Sequence, residues 1–305
     1  MTRVVDLADV PTLFRASDLR RARAVDAAIG RLPTHDGRPV LEITFGYRGR
    51  PLPRRVFDHA DGDLRAWWDD EDMFLTHGPF AVHVTPTAAH IGGEGNLNRA
   101  FRQVLPYVIT HLLTGHERFV LHAGAVHRGG RAVLVLGGSG SGKSTLAVNA
   151  LRAGWSVLGD DLVALRLGDE LEVTGIAKPV VAPADVVRAS GLPASPLEGD
   201  ARGRWQVPIG DAEAAWLPVA ATVVSTHAED SSAELRPLTS PQFIEWLLFS
   251  FLSARQPSRL RRFLPVAAEL TRRRGWVLQH GRNASFLDIN ELLSRIRLIE
   301  PAPSR

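Results

Sequence analysis

The 305-residue chain contains no cysteine. Disulfides, cysteine-ligated zinc, iron–sulfur clusters and a cysteine nucleophile are therefore excluded. Lysine is nearly absent as well: Lys143 and Lys178 are the only two. The other bases are arginines, which lift the isoelectric point to 9.9 although the net charge is only +3. A GC-rich genome accounts for arginine over lysine, so a lysine that persists points to a need for it. The modest charge gives no case for nucleic acid as a partner. No apolar run approaches the ~18 residues of a membrane-spanning helix; the longest, Trp246–Leu252, is far shorter. The opening MTRVVDLADV puts acids where a secretory signal needs an apolar stretch. A cytoplasmic chain without a membrane partner is expected.

What is present suits a folded protein. Apolar residues make up 45% and charged residues 23%, the balance of an ordinary globule with enough length to bury a core without covalent staples. Residues 1–115 read as a β-rich accessory region. Asp18 to Leu32 suits a surface helix, and Leu41, Ile43, Phe45 and Tyr47 alternate with polar or small residues, the period of a half-buried strand. Phe80–Val84 and Ala88–Ile91 read as strands around a Thr-Pro-Thr turn. Leu97 to Leu113 has helical spacing, with Pro106 as a kink and Gly115 as a stop.

Residues 116–305 form the second expected domain. FVLHAGAVH (119–127) and AVLVL (132–136) read as two strands joined by Gly129-Gly130, a hairpin turn. A helix is expected from Lys143 to Ala153, closed by Gly154. The run WSVLG then leads into Asp160-Asp161, and a further hairpin crosses Gly168-Asp169. Residues 190–218, rich in Gly, Pro and charge, read as a loop. Ala220–Ser225 suits a strand, and 241–253, 263–274 and 287–297 suit helices. The arginines from Arg255 to Arg274 form a basic cluster, which suits a solvated helix face or a receptor for an acidic group.

One motif carries chemistry. Gly137-Gly138-Ser139-Gly140-Ser141-Gly142-Lys143-Ser144 matches G-x-x-x-x-G-K-[ST]. With so little lysine, a chance match is expected in about two of a thousand such chains. Glycines let successive N–H groups turn inward around phosphate oxygens, and the following helix points its positive end at the same anion. Lys143 adds a full charge at the outer phosphates, and the Ser144 hydroxyl can ligate magnesium.

Asp160-Asp161 follows by one helix and one strand. Parallel neighbouring strands end on one edge, so the acids are expected beside the phosphate loop. Two adjacent carboxylates suit two tasks, holding magnesium and accepting a proton from an attacking hydroxyl. If Gly129-Gly130 is a two-residue loop, facing residues sum to 259, and His122 lies opposite Gly137.

LHAGAV, GGSGSGKST and LGDD, in this order and spacing, resemble the catalytic domain of HPr kinase/phosphorylase. They resemble more closely the HPr-kinase-like proteins encoded with ribosomally made peptides such as lasso peptides. The likeness is specific over 119–183. It implies an α/β fold related to phosphoenolpyruvate carboxykinase: a P-loop kinase core of mixed β-sheet flanked by helices. It implies ATP and magnesium, with a serine hydroxyl as acceptor, in a peptide or a small molecule. The motif extends nucleotide contacts to Thr145, and the family's chemistry maps onto His122, Lys143, Ser144, Asp160 and Asp161. Asp160 is the expected base and Asp161 the expected metal ligand with Ser144, an order open to exchange. Lys178, before Pro179, is expected to contact a phosphate or an acceptor carboxylate. The glycine-rich signature loop of the bifunctional enzymes is missing; only VTGIAKP stands at 173–179. Phosphorolysis is therefore not expected, and a homo-oligomer is left open. Three functions remain in play: a serine kinase, a small-molecule kinase, and a non-catalytic nucleotide-binding regulator or peptide chaperone.

Overall fold

The structure, a computed structural model, describes residues 2–29, 32–46, 52, 57–61, 63–93, 97–176, 179–197, 200, 202–209, 215–227, 233–251 and 253–280. Tyr47, Lys178 and the helix expected at 287–297 lie outside the described residues. The chain divides into two compact units, Met1–Val120 with Leu252–Phe263, and Leu121–Phe251 with Leu264–Arg305.

The first unit is built on eight strands: β1 (Thr2–Leu7), β2 (Val10–Ala16), β3 (Leu41–Phe45), β4 (His59–Asp61), β5 (Leu64–Asp69), β6 (Asp72–His77), β7 (Phe80–Val84) and β8 (Ala88–Gly92), with α1 (Leu19–Ile29) and α2 (Leu97–Thr114). Their order in the sheet is β1-β2-β3-β8-β7-β6-β5-β4. Sequence pattern anticipates β3, where Leu41, Ile43 and Phe45 are buried and the residues between are half-buried. It misses the β1–β2 hairpin, whose turn uses Ala8 and Asp9 at φ 54 and 59 rather than glycine. Asp6 Oδ1 makes that turn possible by accepting the Asp9 N–H at 2.6 Å. Gly115 does follow α2, but the left-handed residue beyond the helix is Glu117, at φ 56.

The second unit holds β9 (Phe119–Leu121), where the chain passes over from the first unit, then β10 (Gly124–Arg128), β11 (Arg131–Leu136), α3 (Lys143–Arg152), β12 (Ser156–Gly159), β13 (Val163–Leu167), β14 (Leu171–Gly175), β15 (Val180–Ala182), α4 (Ala184–Ser190), β16 (Ser195–Pro196), β17 (Trp205–Val207), β18 (Leu217–His227), β19 (Ala233–Pro237), α5 (Ser240–Ser250), the part of α6 (Pro257–Arg272) after Phe263, and β20 (Arg274–His280). The main path of its nine-stranded sheet is β12-β10-β11-β18-β14-β13-β9, and β20 pairs with β18 and β19. β15-β17-β16 form a small separate sheet, and two of its strands, β16 and β17, lie inside the segment read from sequence as loop. α3 and α4 cover one face: Leu146, Ala147, Ala150 and Val187 pack with Val133, Val135, Val180 and Val223 in one apolar cluster. This is a mixed α/β architecture, as expected.

Two expectations are corrected by the topology. The strand expected across 119–127 is broken at His122-Ala123. β10 and β11 do pair with facing residues summing to 259, as in Gly124↔Val135, but no pairing is recorded beyond Gly124. His122 is therefore not opposite Gly137; its N–H is taken by Ser250 O at 2.8 Å, next to the Leu121↔Phe251 bridge. The strands carrying the phosphate loop and the aspartates are not neighbours either. β10 lies between β11 and β12, antiparallel to both. β11 and β12 consequently run the same way, and their C-terminal ends still share one edge.

The basic cluster also dissolves. Arg255, Arg261 and Arg262 are exposed, but Arg259 is buried, donates to the His111 carbonyl and lies against the His111 ring. Arg273 donates to Val219 O and pairs with Glu269.

Candidate active site

The phosphate loop leaves β11 after Leu136 and enters α3 at Lys143. Gly137, Gly140 and Gly142 have φ 148, 79 and 96, conformations that side-chain-bearing residues rarely adopt. Gly142 is required twice over, because a Cβ there would lie 2.4 Å from His280 Cε1. Ser139 and Gly140 are exposed at the tip; Ser144 and Thr145 are half-buried in the first helical turn. Lys143 is buried, and its Nζ donates to Gly137 O at 2.7 Å and Gly138 O at 2.9 Å. Burial pushes its pKa down, and the nearby Asp161 and Asp160 oppose that shift.

Asp160 and Asp161 follow β12, held in place by a tight crossing. A Cβ on Gly175 would stand 1.6 Å from Leu158 O, so only glycine lets β14 approach β12 here. Asp160 is buried. Its Oδ2 accepts the Val181 N–H at 3.1 Å, and its Oδ1 has no partner among the described residues. Burial raises its pKa to about 6; the Val181 N–H pulls down, Asp161 adds to the rise, and the Ser144 hydroxyl and Lys143 pull down. Asp161 is half exposed, and His122 Nδ1 lies 3.2 Å from its Oδ1.

Lys143, Ser144, Asp160, Asp161 and His122 therefore sit together at one edge of the sheet. Residues that sequence reading passed over join them. Ser225, at the end of β18, and His280, at the end of β20, are buried beneath the loop. Arg204 precedes β17 and is held by Asp200 at 2.8 Å; Asp200, then Asp161 and Asp160, raise its pKa. The signal for Ser225 was present, because the last residues of a strand parallel to the P-loop strand border its ligand crevice. β20 gave no such signal, since Arg272-Arg273-Arg274 continue the charge pattern of the helix before it.

Among the described residues, no group of three or more His, Asp and Glu side chains is arranged to hold an ion. Magnesium needs less. It keeps several waters and takes one or two carboxylates with phosphate oxygens. The half-exposed Asp161 carboxylate, near Lys143, and the half-buried Ser144 hydroxyl offer oxygens of the kind that demand calls for.

No family model matches the chain. It is 32% identical over 176 residues to HPr kinase/phosphorylase of Lacticaseibacillus casei strain BL23, and equally to that of Lacticaseibacillus paracasei strain ATCC 334. The match covers 51% of this chain and 54% of each relative. The chain thus spans about half the length of the curated relatives it matches. A distant HPr-kinase-like relationship follows.

Proposed function

We propose that this chain is an ATP- and magnesium-dependent kinase, transferring the γ-phosphoryl group to a serine hydroxyl, in a ribosomally made precursor peptide. Residues 116–305 form the kinase domain and 1–115 an accessory region. The observation that carries this reading is the buried Asp160 carboxylate, with one oxygen unpartnered among the described residues, beside the phosphate loop. A protein that only sensed nucleotide would not need such a group.

The backbone of Gly137–Gly142 and the start of α3 hold the phosphates, with Thr145 in the same helical turn. Lys143 swings from the loop carbonyls to the outer phosphate oxygens. Ser144 and Asp161 would hold magnesium, which would supply positive charge against the phosphate oxygens. Asp160 takes the proton of the serine hydroxyl as its oxygen bonds to the γ-phosphorus and the bridge to ADP breaks. Its raised pKa gives it the proton affinity this step needs. His122 holds Asp161 in place. Lys178 meets the acceptor.

The test is nucleotide binding. Lys143→Ala removes the only lysine at the loop and should weaken ATP·Mg binding by at least ten-fold in calorimetry. Unchanged affinity would sink the phosphate-loop assignment.

A further inference from the structure

Beneath the phosphate loop lies a short polar chain that the proposed chemistry does not use. His280 and Ser225 are both buried, among apolar neighbours such as Val223, Val224 and Leu278. They occupy the C-terminal ends of adjacent parallel strands, in a register that pairs Ser225 with Leu278 and His227 with His280. His280 Nε2 lies 3.1 Å from Ser225 Oγ, and Ser225 Oγ donates to Ser141 O at 2.7 Å.

The direction of this chain is fixed by counting protons. A serine hydroxyl has one hydrogen. It is spent on the Ser141 carbonyl, which only accepts. Ser225 Oγ must then accept from His280, so the imidazole carries its proton on Nε2. The order is His280 Nε2–H to Ser225 Oγ–H to Ser141 C=O.

The consequence appears on the other side of one peptide bond. The group joining Ser141 to Gly142 is planar and trans, so its C=O and N–H point in opposite directions. With the carbonyl drawn down onto Ser225, the Gly142 N–H must point away from the sheet, toward the cradle formed by the loop and the N-terminus of α3. A hydrogen bond accepted by the carbonyl also polarises the amide and makes its N–H a better donor. His280 packs directly against this peptide, since its ring fills the space a Cβ on Gly142 would need.

We infer that His280 and Ser225 are positioning residues that hold the Ser141–Gly142 peptide with its N–H aimed at the bound phosphates. This rests on the nucleotide-binding reading of the loop and adds to it an anchor outside the motif. The pair touches no substrate. It acts by ordering a donor before the anion arrives, so its loss should appear in affinity more than in the chemical step.

The experiment compares full-length wild type with Ser225→Ala, Ser225→Thr, His280→Ala and His280→Gln. ATP·Mg binding is measured by calorimetry, and KM and kcat are measured separately. Ser225→Ala and His280→Ala should weaken ATP roughly ten-fold, with kcat changed less than three-fold. Ser225→Thr keeps the hydroxyl, and His280→Gln keeps a donor, so both should recover most of the affinity. Ser225→Ala removes one oxygen and keeps the fold testable if His280→Ala does not fold. Nitrogen NMR of the wild-type imidazole should show the Nε2–H tautomer. Wild-type affinity in Ser225→Ala and His280→Ala would overturn the inference, as would an Nδ1–H tautomer. A wild-type chain that bound no ATP would instead remove the nucleotide reading, and this inference with it.

Discussion

His122 Nδ1 lies 3.2 Å from Asp161 Oδ1, whereas the adjacent Asp160 turns inward and leaves one oxygen without a partner among the described residues. Two consecutive carboxylates thus face different surroundings. The division follows from the break between β9 and β10. Because the chain bends at His122 instead of continuing the strand, the imidazole reaches Asp161.

Replacing His122 by alanine should affect function far more than stability. The side chains of His122 and Asp161 are 32% and 50% exposed. A pair this open contributes at most about 1 kcal/mol even when the imidazole is charged. Thermal unfolding should move little, while transfer should fall roughly ten-fold and need more magnesium, because Asp161 loses the group that orients it. A large fall in melting temperature with transfer intact would make the pair structural.

Gly175→Ala tests the crossing behind the aspartates. The new methyl would meet the Leu158 carbonyl and carbon at 1.6 and 2.2 Å, both backbone atoms. The strands must separate, at a cost of about 3 kcal/mol. Chemical denaturation should show that loss, and any folded protein should bind nucleotide better than it transfers phosphate, because β12 leads into the carboxylates and not into the loop. A variant as stable as wild type would contradict the close approach.

Much of the site was legible in sequence because its chemistry is local. The phosphate loop, its lysine and the paired aspartates each occupy a few consecutive residues of distinctive type. The Gly-Gly turn even fixed the β10–β11 register. What escaped depended on partners distant in the chain. Nothing near His122 announces that Ser250 takes its N–H. His280 owes its place to a strand that begins at the last of three consecutive arginines. In the small sheet, β16 and β17 were hidden as very short strands among prolines and glycines, which read as loop.

Arg259 shows the same limit. In sequence it belongs to a run of arginines; in the first unit it is buried, with its guanidinium on the His111 carbonyl and ring and Glu71 3.8 Å away. Burial pulls its pKa down to about 10. Arg259→Ala should lower stability by about 3 kcal/mol, since it leaves the His111 carbonyl unpaired in an apolar setting. Arg259→Lys should not restore it, because one ammonium cannot replace the planar fork. Arg261→Ala, on an exposed position, is the control and should stay within about 0.5 kcal/mol of wild type. Equal effects at both positions would restore the solvated-face reading.

Asp160→Asn separates the cost of the buried carboxylate from its use. Its folded pKa is raised to about 6 from an ordinary 3.8. Between those values the folded chain binds more protons than the unfolded one, so this group makes stability fall as pH rises from about 4 to about 6. Below that window the carboxyl is neutral in both states and costs nothing. Above it the full penalty applies, about 2–3 kcal/mol for a shift of this size. Asparagine carries no charge at any pH in this range. Without nucleotide or magnesium, Asp160→Asn should therefore match wild type near pH 4 and become the more stable protein above pH 6. The same substitution should retain ATP binding and abolish transfer to serine, because an amide cannot accept the hydroxyl proton. Denaturation at several pH values, paired with a labelled-ATP transfer assay, reads both effects. A pH-independent stability difference would show that Asp160 is not held as a buried acid. Transfer at the wild-type rate would move the base to Asp161.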